Sequence, residues 1–137
     1  MVRLNKLSIF SLWVFIAFAA TAHSQDSKKS TEADFNKPQG FSNLLKGQYD
    51  NAISDFTKAI EMDSRNANAY YYRGVAYQRK SENDRAISDF SRAIEIDPRY
   101  AEAYYNLGEI MKQQGRNKES ERYFSEVKRI VEKKNRN

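Results

Sequence analysis

One stretch of this chain occurs twice in closely similar form. Residues 51–74 read NAISDFTKAIEMDSRNANAYYYRG, residues 85–108 read RAISDFSRAIEIDPRYAEAYYNLG, and the two agree at 15 of 24 positions without a gap. Repetition with a period of this length is typical of stacked supersecondary units, each of which buries its apolar face on its neighbours. We therefore expect an array of small units rather than one deep core. Such arrays usually hold other molecules.

One period, residues 67–100, has the pattern of two helices joined by a polar turn. In its first half Tyr70, Gly74 and Tyr77 recur at the spacing of one helix face. In its second half apolar residues recur at the same spacing: Ala86, Phe90, Ala93 and Ile94. Residues 80–84 are polar and rich in turn formers, and Pro98 disfavours helix at the residue before it. The sequence predicts an all-α fold built from helical hairpins.

Glycine and large aromatic residues also recur with the period. Gly74 and Gly108 stand inside helices, where glycine costs roughly 1 kcal/mol relative to alanine. Their recurrence indicates that the two helices of a hairpin approach closely, with Phe90 and the tyrosines filling the wider parts of the gap. We interpret these aromatics as core residues and not as a cofactor site.

This pattern resembles the tetratricopeptide repeat (TPR), whose signature of aromatic, Leu-Gly, Tyr, Ala, Phe, Ala and Pro positions extends over a period of the same length. The copy at residues 67–100 has the same spacing at Tyr70, Arg73, Gly74, Tyr77, Ala86, Phe90, Ala93 and Pro98, with Arg73 at the leucine position. The copy at 101–134 departs from it at Met111, Ser120 and Val127. The copy at 33–66 matches only in its second half. The resemblance covers residues 33–131 and implies a short right-handed solenoid of about three repeats, the first degenerate.

The two ends of this array differ from its middle. Three polar residues stand at expected core positions of the first copy: Asn36, Gln39 and Asn43. We interpret Pro38 as a late helix start, because proline is tolerated in the first turn of a helix. The last helix, about residues 117–134, carries an apolar stripe of which part is expected to lie open: Tyr123, Phe124, Val127, Ile130 and Val131. Either end is a candidate surface for a partner or for homo-oligomer formation.

Residues 1–24 have the pattern of a secretory signal peptide. Arg3 and Lys6 precede the uncharged run 7–22, and small residues follow up to Ser24. Cleavage is expected before Gln25, with residues 25–32 as a flexible polar linker. The chain is then exported, to a periplasm or as a secreted protein. The alternative is an uncleaved membrane anchor formed by residues 7–22.

Composition excludes several classes of chemistry. The chain has no cysteine, and its one histidine, His23, lies in the N-terminal segment, so we expect no metal site, no cofactor and no catalytic residue. Asp55 and Asp89 recur at the repeat period, which indicates a repeated structural role. Without residues 1–24 the chain keeps 21 basic and 18 acidic residues, and this net charge of +3 does not favour nucleic-acid binding.

The resemblance also implies a ligand-binding face. In TPR proteins the first helix of each unit lines the concave side, and residues offset from the packed face form the groove. The matching residues in this chain are Asn68, Tyr71, Val75, Gln78 and Arg79 in one repeat and Glu102, Tyr105, Glu109, Lys112 and Gln113 in the next. Tyr71 and Tyr105 are the strongest candidates, because tyrosine is typical of binding hot spots; the alternative is that both pack between repeats.

Some family members hold a peptide carboxylate in a clamp of Lys, Asn and Arg. Asn106 matches one clamp position, but Asn68 and Glu102 stand where a lysine is needed. We therefore predict against a clamp of this kind. The sequence favours a non-catalytic, exported adaptor that binds a protein or peptide ligand. The alternatives are a membrane-tethered assembly factor and a structural protein that self-associates through the array ends.

Overall fold

The computed structural model describes residues 39–136. Over this range the chain forms six helices and no strand, and the all-α prediction is confirmed. The helices are α1 (residues 39–45), α2 (Tyr49–Met62), α3 (Ala67–Arg79), α4 (Asn83–Ile96), α5 (Ala101–Gln113) and α6 (Asn117–Lys134). The expected signal segment, the linker at 25–32, Asn36 and Pro38 lie outside the described residues.

The helices form hairpins that stack one on the next. Helix α3 packs on α4 and α5 packs on α6, while α2 packs on α3 and α4 packs on α5 to join neighbouring hairpins. Two clusters of small and large apolar residues hold these contacts, one centred on Phe56 and the other on Phe90. None of the helices between residues 39 and 136 is long and apolar enough to cross a membrane.

The turn inside each hairpin has the same backbone in all three copies. Gly47, Ser81 and Gly115, which occupy the same position in successive repeats, have positive φ angles of 72°, 61° and 73°. The residue after each one donates its backbone N–H to a carbonyl near the end of the preceding helix, as in Glu82 to Tyr77 at 2.9 Å. This arrangement ends a helix and satisfies its last carbonyls. The polar turns expected from the sequence therefore stop the first helix of each hairpin at a fixed register.

A glycine faces a phenylalanine ring at the crossing point of each hairpin. A Cβ atom added at Gly40, Gly74 or Gly108 would lie 2.9, 2.9 or 2.7 Å from the ring of Phe56, Phe90 or Phe124, respectively. Phe56 and Phe90 are almost fully buried. The close approach of paired helices that the recurring glycines indicated is present in every copy.

Polar groups also join the helices of two hairpins. Arg73 donates two hydrogen bonds of 2.8 Å to the carboxylate of Asp89, which is only 5% exposed, and a third of 3.2 Å to the hydroxyl of Thr57. The bonds to Asp89 raise the pKa of the Arg73 guanidinium. In the first copy Asn43 is buried and donates to Asp55 at 2.8 Å. The two recurring aspartates therefore serve as structural acceptors within the array.

Candidate functional site

A depression of about 450 Å³ lies between α3 and α5, and we call it the α3–α5 groove. Six of the groove residues that the sequence singled out line it: Tyr71, Val75, Gln78 and Arg79 from α3, and Glu109 and Gln113 from α5. Asn106 completes the α5 side, and Ser81 and Asn83 close the edge at the turn. The repeat places these residues together because α3 and α5 are the first helices of successive hairpins.

Four of the candidate residues lie outside the lining of this groove. Asn68 accepts a hydrogen bond of 2.8 Å from the hydroxyl of Tyr100 at the start of α5. Tyr105 is 51% exposed, with its ring 5.7 Å from that of Phe124. Glu102 and Lys112 are exposed on α5. These side chains are accessible, but the structure does not bring them into the depression with Tyr71.

Tyr71 forms part of the wall and is itself packed. Its ring centroid lies 4.9 Å from that of Tyr100 and 5.7 Å from that of Phe90. Asn106 donates a hydrogen bond of 3.4 Å to its hydroxyl. Burial raises the pKa of the Tyr71 phenol above its usual value. Tyr71 therefore joins neighbouring hairpins and at the same time presents one edge to the groove.

The groove is mainly a surface of hydrogen-bonding groups. It holds four side-chain amides, which are those of Gln78, Asn83, Asn106 and Gln113, and one residue of each charge, Arg79 and Glu109. Within residues 39–136 neither of these two charged groups has an ion-pair partner, whereas the adjacent Lys80 is paired with Asp50 and Glu82. Amides donate and accept hydrogen bonds, as the peptide backbone does. Such a wall suits an extended polypeptide.

A second depression, of about 430 Å³, lies between α5 and α6 and is lined in part by Tyr104, Glu119 and Glu126. Its acidic groups are already used, because Glu119 is bonded to Arg116 at 2.6 Å and Glu126 to Arg129 at 2.7 Å. The bond to Arg116 lowers the pKa of Glu119. Arg122 also lines this depression and has no ion-pair partner within residues 39–136. We regard the α3–α5 groove as the better candidate site because it has unpaired groups of both charges. The part of the chain that the structure describes contains no cluster of metal-ligating residues.

Sequence reasoning placed Ser81 and Asn83 in a turn and did not count them among the groove residues. It named Asn106 only for a clamp position. Ser81, Asn83 and Asn106 could have been assigned to the groove from the geometry of stacked hairpins, because the end of α3 and the turn after it lie beside the middle of α5. The repeat period alone does not show which turn residues reach the next hairpin.

The fold defines the class of protein as a short array of stacked helical hairpins. The sequence profile described as TPR repeat matches residues 44–81 and 79–115, and a second profile, tetratricopeptide repeat, matches residues 101–130. Together they cover more than half of the chain. This chain belongs to the TPR family.

Solved structures show the same fold. A crystal structure of MamA has 28% sequence identity and a TM-score of 0.74, over 77% of this chain and 61% of that one. The second TPR domain of Spaghetti (RPAP3), bound to the HSP90 peptide SRMEEVD, has 25% identity and a TM-score of 0.70, over 76% of this chain and 98% of the domain. Its first TPR domain, with the same peptide, has 26% identity and a TM-score of 0.70, over 73% and 79%. A search of curated protein sequences found no match.

Proposed function

We propose that this chain is a non-catalytic adaptor that binds an extended segment of a partner protein in the α3–α5 groove. The observation that carries the proposal is the set of hydrogen-bonding side chains that α3 and α5 bring together, with two charges that have no ion-pair partner within residues 39–136. Two TPR domains with 25% and 26% identity to this chain are bound to a peptide, which supports the same mode of action. A groove between the first helices of successive repeats, lined by hydrogen-bonding side chains, suits an extended backbone.

The ligand is expected to differ from the acidic peptide SRMEEVD to which those two domains are bound. The α5 wall of the groove contributes Glu109, and Glu102 is exposed on the same helix. Both would repel a ligand carrying several carboxylates. Among the described residues, Arg79 is the single cation that lines the groove. The groove therefore suits a segment of mixed charge rather than an acidic C-terminus.

Site-specific photo-cross-linking in the cells that make the protein tests the groove. A photoreactive side chain at Gln113 is expected to give a discrete adduct with a partner. The matched control, the same group at the exposed α6 residue Glu121, is expected to give none. Arg79→Glu should remove most of the Gln113 adduct with little loss of stability, because Arg79 is exposed. Equal adducts from Gln113 and Glu121 would contradict a groove-bound partner.

We further propose that the adaptor acts outside the cytoplasm, either free in a periplasm or secreted. The support is the sequence pattern of residues 1–24, in which a basic end, a short apolar run and small residues follow one another. The N-terminus of the protein isolated from its native cells tests this. Gln25 as the first residue is expected for a free exported protein. Retention of residues 1–22 in a membrane fraction would instead support the tethered assembly factor, and an intact chain in the cytosol would contradict export.

A further inference from the structure

The groove face of the array continues onto α1, where its character changes. With Gly40, Gly74 and Gly108 aligned, Phe41 and Leu45 of α1 occupy the positions that Val75 and Arg79 occupy in α3. The same two positions in α5 are Glu109 and Gln113. The face that is polar in α5 and mixed in α3 is therefore apolar in α1. We call Phe41 and Leu45 the α1 patch.

The α1 patch is exposed and its aromatic ring is held in place. Leu45 is 75% exposed and Phe41 is 43% exposed. The Phe41 ring packs edge-on against Tyr72 with centroids 5.5 Å apart, and Tyr72 in turn stacks on the buried Phe56 at 5.6 Å. Tyr72 also contacts Tyr71, whose ring forms part of the groove wall, at 5.1 Å. A continuous row of aromatic rings thus joins the patch to the groove.

The patch is not a surface on which another hairpin would stack. Ile87 and Ile94 of α4 pack against the next hairpin, and their equivalents in α6 are the exposed residues Glu121 and Lys128. At the other end, Leu107 and Ile110 of α5 are buried against α4, and their α1 equivalents are Gln39 and Ser42. End-on stacking of a second copy would bury the two charged groups of α6. At these four described positions the two ends of the array are polar, while the α1 patch lies on the groove face.

We propose that the α1 patch is an anchor subsite of the groove, and that its occupant is a segment of a partner protein with one large apolar side chain and one acidic residue about three positions away. This proposal rests on the adaptor function proposed above. The acidic residue would pair with Arg79, the unpaired cation on the neighbouring first helix. The spacing follows because α1 and α3 touch through the rings of Phe41 and Tyr72, helices in contact lie about 8–10 Å apart, and an extended chain rises about 3.3 Å per residue.

Selection of random phage-displayed peptides on the full-length chain tests this proposal. Peptides selected by the unaltered protein are expected to share an apolar residue and an acidic residue three positions apart. Leu45→Ser should bind those peptides about tenfold more weakly, as expected for a truncated anchor, and Arg79→Gln should select peptides that lack the acidic residue. The matched control is Val131→Ser, which removes an apolar side chain that is 46% exposed on α6 and should change nothing.

The other results each overturn the proposal in a distinguishable way. Selected peptides without an apolar preference, or with affinity unchanged by Leu45→Ser, would leave a groove-binding adaptor without an α1 anchor. Failure of the unaltered protein to select any peptide would overturn the adaptor function as well. A dimer that dissociates in Leu45→Ser would make a second copy the occupant. Cross-links from a photoreactive group at residue 45 to residues 1–38 would assign the patch to the chain's own N-terminal segment.

Discussion

Replacement of Asp89 by alanine is expected to lower the free energy of unfolding by about 2–4 kcal/mol. The carboxylate is almost fully buried and accepts two hydrogen bonds from Arg73. Without it, the guanidinium stays in a largely apolar place with the Thr57 hydroxyl as its remaining bonded side chain. The expected loss is somewhat below that for a fully buried pair, because 18% of the Arg73 side chain is exposed. Urea unfolding followed by far-ultraviolet circular dichroism measures it.

The double variant Arg73→Leu/Asp89→Ala is the control for this prediction. It removes both charges, and the last repeat already has Leu107 at the position of Arg73, buried to 1% exposure. Because no charge is left uncompensated, the double variant should be more stable than Asp89→Ala alone. A double variant that is less stable than Asp89→Ala would contradict the prediction, because it would show that Arg73 stabilises the array without Asp89, through its contacts with the Thr57 hydroxyl and the Tyr70 ring.

The repeat period carried most of the fold. Helix faces, polar turns and the glycines at the crossing points all recur with this period, so each feature of the hairpin is indicated by more than one copy. Even the degenerate first copy keeps Gly40 against Phe56. In the same copy the sequence places the polar Asn43 at a core position. The structure shows that its amide donates a hydrogen bond to Asp55, which offsets the cost of burying a polar side chain.

The candidate site depended on neighbours that the period does not specify. Tyr71 and Tyr105 occupy the same position in their helices, yet Tyr71 is packed by Phe90 and Tyr100 whereas Tyr105 is 51% exposed. The difference arises because Tyr100 begins the next hairpin over Tyr71, and its equivalent after Tyr105 is Lys134. Two tyrosines at the same position of the repeat therefore differ: Tyr71 is packed in the wall of the groove, whereas the ring of Tyr105 is accessible to solvent.

The α1 patch was open to prediction from the sequence. The alignment through Gly40 places Phe41 and Leu45 at groove positions, although the first copy matches the repeat signature only in its second half. A weak match to a repeat signature shows that packing residues have changed. It says nothing of the residues that face outward, which are under no constraint from the signature.

Substitution of Gly74 by valine is expected to cost about 3 kcal/mol, the upper end of the range for overpacking in a well-packed core. A Cβ atom at this position would lie 2.9 Å from Cε1 of Phe90 and 3.3 Å from Cβ of Asp89. Phe90 is fully buried and its ring also packs against Tyr71, so it has no space into which to move. The loss should appear as a lower urea midpoint and as reduced near-ultraviolet dichroism of the tyrosines.

Gly108→Val is the matched control. It tests whether the cost depends on the distance to the phenylalanine ring or on whether that ring can move away. Its Cβ atom would lie even closer to a ring, 2.7 Å from Phe124. Phe124, however, lies on the last helix of the described array and is only partly buried, so it can shift towards solvent. We expect Gly108→Val to cost less than Gly74→Val. An equal or larger loss at Gly108 would contradict this expectation. It would mean that Phe124 cannot shift towards solvent and that the α5–α6 hairpin is as tightly constrained as the middle of the array.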